Sequence, residues 1–157
     1  MVGVVVVSHS PRAAKGIRDI AVEMGSSDTR IVVAGGDVSG GIGTDPNAIA
    51  EAITEAAGVS DDHRTQENNT EAGSTDEDDN PTQDEVDDVV LLVDLGSAVM
   101  NAELAIEMTT IDNTVRIADA PVLEGALNAT VEASSSKATV ESVVAAAEDA
   151  REYSKVD

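Results

Sequence analysis

Apolar strand-like runs that alternate with amphipathic helical stretches predict an α/β fold: an open, mainly parallel sheet with helices on both faces. Three observations carry this reading. Val2-Gly3-Val4-Val5-Val6-Val7 is an unrelieved, β-branched run of the kind a strand covered on both sides requires. Val89-Val90-Leu91-Leu92-Val93 is another. The elements follow the order strand, helix, strand, helix, strand, helix, strand, helix, helix, and repeated βα units with right-handed crossovers make neighbouring strands parallel.

The first run breaks at Ser8-His9-Ser10-Pro11. Ser10 is suited to cap a helix, and Pro11 to its first position, where a missing N–H has no partner to lose. Ile17, Ile20, Ala21 and Met24 recur at steps of three and four as that helix's buried stripe, and Gly25 ends it. Arg30-Ile31-Val32-Val33-Ala34 reads as the second strand, followed by the glycine-rich loop Gly35 to Thr44. Asp45 and Pro46 start the next helix as cap and first residue, with Ile49, Ala52, Ile53 and Ala56 facing inward.

Residues 60–88 differ in character, with twelve acids against the single base Arg64, which is half of the net charge of −22. Such a stretch buries too little apolar surface to order itself, so a mobile acidic insertion at about 59–88 is expected within a single domain spanning 1–157. Asp76 to Asp79 lack the ligand spacing and mid-loop glycine of a calcium loop. After the third strand, Asp94-Leu95-Gly96-Ser97 leads into a helix reaching about Met108, with Ser97 as its expected cap. Thr114 to Ala118 reads as the fourth strand. Pro121 opens a helix with Leu123, Ala126, Leu127, Thr130 and Val131 on one side, and Val140, Val143, Val144 and Ala147 mark the last one.

Composition excludes several functions. A surface with 31 acids and 9 bases repels nucleic acid and anionic lipid. No run approaches the roughly 18 apolar residues needed to span a bilayer, and the start lacks a secretory signal, so a cytoplasmic location is expected. With no cysteine, thiolate nucleophiles and disulfides are absent. Acidity combined with three lysines and no Phe or Trp resembles the composition of proteins from salt-loving organisms.

In the flavodoxin-like strand order 2-1-3-4, the first and third strands are neighbours and ligands bind where their carboxyl ends diverge. That order brings His9 and Asp94 together. An ordinary imidazole titrates near ~6.5, which leaves a nucleophilic neutral form at neutral pH. Asp94 is placed to hold one ring nitrogen as N–H and to support the positive charge that develops on attack. Which nitrogen does which stays open. The N–H groups after Ser10 and Gly96, the hydroxyl of Ser97 and the Gly43-Thr44 loop are candidate phosphate donors, and uncharged donors of this kind stabilise phosphoryl oxygens. The loop lacks the Walker lysine pattern, and no metal site is expected. His63, inside the acidic stretch, has no comparable company.

Val6-Val7-Ser8-His9-Ser10 with Arg12 and Gly16, then Ile42-Gly43-Thr44-Asp45, Asp94-Leu95-Gly96-Ser97-Ala98 and Ala120-Pro121-Val122-Leu123-Glu124-Gly125-Ala126-Leu127, resemble in order a known family. It is the phosphotransferase subunits of phosphoenolpyruvate-dependent dihydroxyacetone kinase, which group with the mannose-type enzyme IIA domains of the sugar phosphotransferase system. The resemblance covers nearly the whole chain outside the acidic stretch. It implies a phosphoryl carrier with mannose-type enzyme IIA architecture and no cofactor of its own. The histidine-containing phosphocarrier protein, charged by enzyme I, would phosphorylate His9, oriented by Asp94. The group would then pass to ADP on the nucleotide-binding kinase subunit, with Thr44, Gly96 and Ser97 in the phosphate-facing loops. The family is homodimeric, which would place Val140 to Ala147 across a subunit interface. A mannose-type sugar-transport component shares this chemistry and differs in its acceptor, whereas a non-catalytic regulatory module binding phosphate or a metabolite at the same rim predicts no covalent phosphate on His9. Negative charge on both sides predicts an exchange rate that rises with salt.

Overall fold

The structure is a computed structural model that describes residues 1–59 and 86–157. Its elements are β1 (Val2–Ser8), α1 (Pro11–Met24), β2 (Ile31–Gly35), α2 (Pro46–Ala56), β3 (Asp88–Val93), α3 (Gly96–Met108), β4 (Val115–Ile117), α4 (Val122–Ala133) and α5 (Val140–Asp149), with a 3₁₀ turn at Ala150–Glu152. The four strands form one parallel sheet in the order β2-β1-β3-β4, as the sequence predicts. Among the described residues no helix is long and apolar enough to cross a membrane.

All seven residues of β1 are buried, because layers of helix cover both faces of the sheet. Val4, Val6, Val90 and Leu92 face α1, α4 and α5, while Val5, Val7, Val89 and Leu91 face α2 and α3. The helices meet the sheet mostly through alanine: Ala14, Ala21, Ala52, Ala56, Ala98, Ala102, Ala105, Ala126, Ala129 and Ala147 are all buried. Small side chains let the layers approach closely. At Gly3 the approach is closest, since a Cβ there would lie 2.2 Å from the carbonyl oxygen of Ala56 at the end of α2.

The caps follow the sequence. The Ser10 hydroxyl accepts from the N–H of Ala13, and Asp45 accepts from that of Asn47, each with proline at the first helical position. The stripes are less faithful. Ile20, Met24 and Val131, expected inside, are about half exposed, because Ala14, Ala21, Ala126 and Thr130 take the inner positions of α1 and α4. The α5 stripe also departs from expectation. Val140, Val143, Val144 and Ala147 are buried in this chain's own core, so the apolar face assigned to a subunit interface is already used within the protomer.

Of the stretch read as an acidic insertion, residues 60–85 lie outside the described residues, and so does His63. Its far end belongs to the sheet. Asp88 opens β3 and accepts from the N–H of Thr114, while Asp87 pairs with the N-terminal ammonium at 2.8 Å and with Arg30 Nη1 at 2.7 Å. Those two carboxylates are structural: Asp87 ties the lower edge of the sheet to the chain's start, and Asp88 ties β3 to the residue before β4.

Candidate functional site

The site stands where β1 and β3 end side by side. The two strands pair in register through Val7 and Val93, so the residues that follow, His9 and Asp94, leave the sheet together on its carboxyl edge. The Asp94 N–H still donates to the Val7 carbonyl at 3.2 Å, which fixes the carboxylate's origin against the neighbouring strand.

Asp94 is the hub. Its Oδ2 accepts from the Ser8 hydroxyl at 2.8 Å and from the His9 N–H at 3.0 Å, and its Oδ1 accepts from the Leu95 N–H at 2.8 Å and meets His9 Nδ1 at 2.9 Å. Partial burial pushes this carboxyl up. The His9 N–H, the His9 ring and the Ser8 hydroxyl outweigh that penalty together and hold it below the ordinary carboxylate range. An ionised Asp94 can only accept at Nδ1, so the neutral ring carries its proton there and turns the Nε2 lone pair outward. Nε2 lies 2.7 Å from the Ser97 hydroxyl, which donates to it in that tautomer.

Ser97 is not the helix cap expected of it. Leu95 holds the cap position of α3 with no side-chain bond, and Ser97 sits in the first turn. The hydroxyl is thereby released toward the histidine. The first N–H groups of a helix have no intrahelical acceptor, so those of Gly96 and Ser97 face the same space at the positive end of α3. Ser10 serves α1 as a cap, and its own N–H is taken by the Ser8 hydroxyl at 3.2 Å.

The Gly43-Thr44 loop reaches the site by a different route. Gly43, at φ +151°, donates its N–H to the His9 carbonyl at 2.9 Å, so this amide braces the histidine's backbone instead of facing a phosphate. The Thr44 hydroxyl accepts from Asn101 Nδ2 at 2.6 Å, which ties the loop to α3 and leaves the hydroxyl proton free to be donated. Asp37 shapes the loop's start. It accepts from the Ser39 hydroxyl and from the N–H groups of Gly41 and Ser39, and these bonds lower its pKa.

The structure thus brings His9, Asp94 and Ser97 into direct contact, brings Gly43 to the histidine's main chain, sets Gly96 beside Ser97, and bonds Ser10 to Ser8 and Ala13 and Thr44 to Asn101 instead of to the histidine. Sequence reasoning missed Ser8 and Asn101. Asn101 carried a signal, being a helix-disfavoured amide one turn after Ser97 on the same face.

Comparison with known proteins places this geometry. Residues 3–63 and 55–144 match the EIIA-man family, described as the PTS system fructose IIA component. The chain is 36% identical over 124 residues to a phosphoryl donor subunit DhaM of phosphoenolpyruvate-dependent dihydroxyacetone kinase from Listeria innocua, covering 79% of this chain and 75% of that one. It is 31% identical to the phosphotransferase subunit DhaM of Lactococcus lactis, covering 81% and 78%. Identity to DhaM of Escherichia coli is 34% over 140 residues, which is 86% of this chain but 24% of that longer protein. So the chain spans about a quarter of the enterobacterial relatives it matches. A crystal structure of a protein of unknown function superposes with a TM-score of 0.65 at 24% identity, covering 94% of this chain and 93% of that one, and supports the fold. Parallel 2-1-3-4 sheet, motif order and family match agree, and the chain belongs to the EIIA-man family of phosphotransferase-system components, in its DhaM group.

Proposed function

We propose that this chain is a phosphoryl carrier of a dihydroxyacetone kinase system, loaded on His9 by the histidine-containing phosphocarrier protein and unloaded onto ADP held by the nucleotide-binding kinase subunit. The observation that carries the reading is the pairing of the two ring nitrogens, Nδ1 with Asp94 at 2.9 Å and Nε2 with Ser97 at 2.7 Å. The relatives' names support the system, and the acceptor is what the family resemblance implies.

In this reading Asp94 keeps the proton on Nδ1, and the Nε2 lone pair attacks phosphorus. The new N–P bond forms as the donor's own N–P bond breaks, and the donor histidine leaves with its electron pair. The ring becomes positive while it carries the phosphoryl group, and Asp94 offsets that charge. The Ser97 hydroxyl gives up Nε2 and donates to a phosphoryl oxygen, joined by the N–H groups at the start of α3 and by the Thr44 hydroxyl. Donors without formal charge stabilise the transferring group without trapping it, which suits a carrier that must also release. In the second step an oxygen of the ADP β-phosphate attacks phosphorus, the Nε2–P bond breaks, and the neutral ring returns. No cofactor of the carrier's own enters either step.

The test is incubation with phosphoenolpyruvate, enzyme I and the phosphocarrier, followed by mapping of the acid-labile adduct by mass spectrometry. One phosphoryl group is expected on His9 and none on His9→Ala. An adduct that survives the substitution, or a wild-type protein that takes no label, overturns the proposal.

A further inference from the structure

We infer that the exposed face of α1 leading away from His9 is the dock for the anionic partner that carries ADP; this rests on the function proposed above. Arg12 and Lys15 project from the first turns of this helix and are exposed, yet among the described residues neither takes part in an ion pair. In a chain with 31 acids and 9 bases, unpaired cations three residues apart beside the nucleophile are an exception to the surrounding field. Local structure does not call for them. The first turn of a helix favours acids, so Arg12 stands against the dipole and costs α1 stability.

Gly16 is a second, independent sign. It lies one turn beyond Arg12 on the same outer face, a Cβ there would meet nothing within 4 Å, and its φ is not in the left-handed region. Neither space nor backbone demands glycine in the middle of this helix, where glycine is unfavourable. A flat, side-chain-free step beside Lys15 and one turn past Arg12 is what the close approach of another molecule's backbone uses. Val38 and Ile42 add exposed apolar surface near the start of α1. They are 87% and 76% exposed on the loop after β2, whose base is pressed against α1, since a Cβ on Gly36 would lie 2.7 Å from Pro11 Cγ.

Charge selects the occupant. ADP must bring its diphosphate within bonding distance of a phosphoryl group already on His9, against the net charge of −22. Arg12, three residues from His9, and Lys15 are the cations of α1 nearest the histidine in the chain, while Arg18, one turn farther on, turns its Nε–H to the Ile31 carbonyl. The donor protein brings a single phosphoryl group and needs less compensation.

The experiment measures association of the ADP-loaded kinase subunit with the unphosphorylated chain, and separately the second-order rates of loading from the phosphocarrier and of transfer to ADP. Arg12→Glu with Lys15→Glu is expected to weaken association and slow transfer to ADP by about tenfold or more at low ionic strength, with the gap closing as KCl is added. Gly16→Gln is expected to weaken association several-fold while raising Tm, and Arg12→Glu should also raise Tm, so neither loss can be ascribed to unfolding. Repeating the binding in a His9→Ala background separates the dock from the chemistry: the same loss there supports the dock even if His9 takes no phosphate. Wild-type association by the substituted proteins, or a defect confined to loading from the phosphocarrier, overturns the inference.

Discussion

His9 Nδ1 and Asp94 Oδ1 are 2.9 Å apart although 85 residues separate them in the chain, and the same carboxylate also holds the His9 main-chain N–H. Ring and backbone of His9 are thus fixed by one acid. Asp94→Asn keeps the size but presents an amide where four donors converge, which reorients the ring and disturbs the tautomer. Loading of His9 should fall by about 10- to 100-fold, the usual cost of losing a group that orients an imidazole. Single-turnover phosphorylation by the phosphocarrier measures it, and a rate within twofold of wild type would show that Asp94 does not position the ring.

The depressed pKa of Asp94 has a stability counterpart. Partial burial opposes ionisation and is outweighed by the bonds from His9 and Ser8, so the folded value lies below the unfolded one, which is about 3.9. The folded chain therefore binds fewer protons here. The stabilisation is fully present above about pH 3.9 and is lost as pH falls through the folded value. Urea titrations of wild type and Asp94→Asn should show wild type the more stable at neutral pH, with the difference shrinking below about pH 4. A difference that grows toward acid would contradict the sign.

Ser10 and Ser97 look alike in sequence and differ in work. Ser10→Ala removes a helix cap and should cost about 1 kcal/mol of stability. Ser97→Ala removes no cap and should stay within about 0.5 kcal/mol of wild type, while loading of His9 slows by about tenfold through loss of one uncharged donor. Thermal melts and labelling rates on the same two proteins separate the effects, and reversed outcomes would exchange the roles.

Gly3→Ala would place a methyl 2.2 Å from the Ala56 carbonyl oxygen, a main-chain atom with no flexible end to yield. Overpacking of that kind costs about 1–3 kcal/mol. Equilibrium denaturation should show it, and an unchanged midpoint would mean that α2 ends farther from β1.

The sheet was legible because both central strands are uninterrupted apolar runs, and a parallel sheet covered on two sides leaves few other ways to bury them. His9 and Asp94 were legible as the polar groups that end those runs. Helix stripes were harder to read, because alanine carries little of the hydrophobic signal yet occupies most inner positions, so Ile20 and Met24 were placed inside and lie half exposed. Ser97 was misassigned because a serine after Leu95-Gly96 fits a cap equally well on local grounds, and only the neighbouring strand's histidine draws its hydroxyl elsewhere. Ser8 carries no signal of its own, since a small hydroxyl at the buried end of β1 reads as part of the strand. The α5 stripe was periodic as expected, but periodicity alone does not say which molecule it is buried against.

Ala98, Ala102 and Ala105, all at 0% exposure, form the underside of α3, so a seam one methyl thick sets the height of that helix above the sheet. Ser97 rides on its first turn, and the 2.7 Å from its hydroxyl to the imidazole is inherited from that height. A bulkier residue at Ala105, two turns from the chemistry, would jack the helix upward and open the serine–imidazole gap. The serine–imidazole distance is therefore held by the smallest side chains on that face of α3, and a gain in buried volume there would register first as a longer reach from Ser97 to His9.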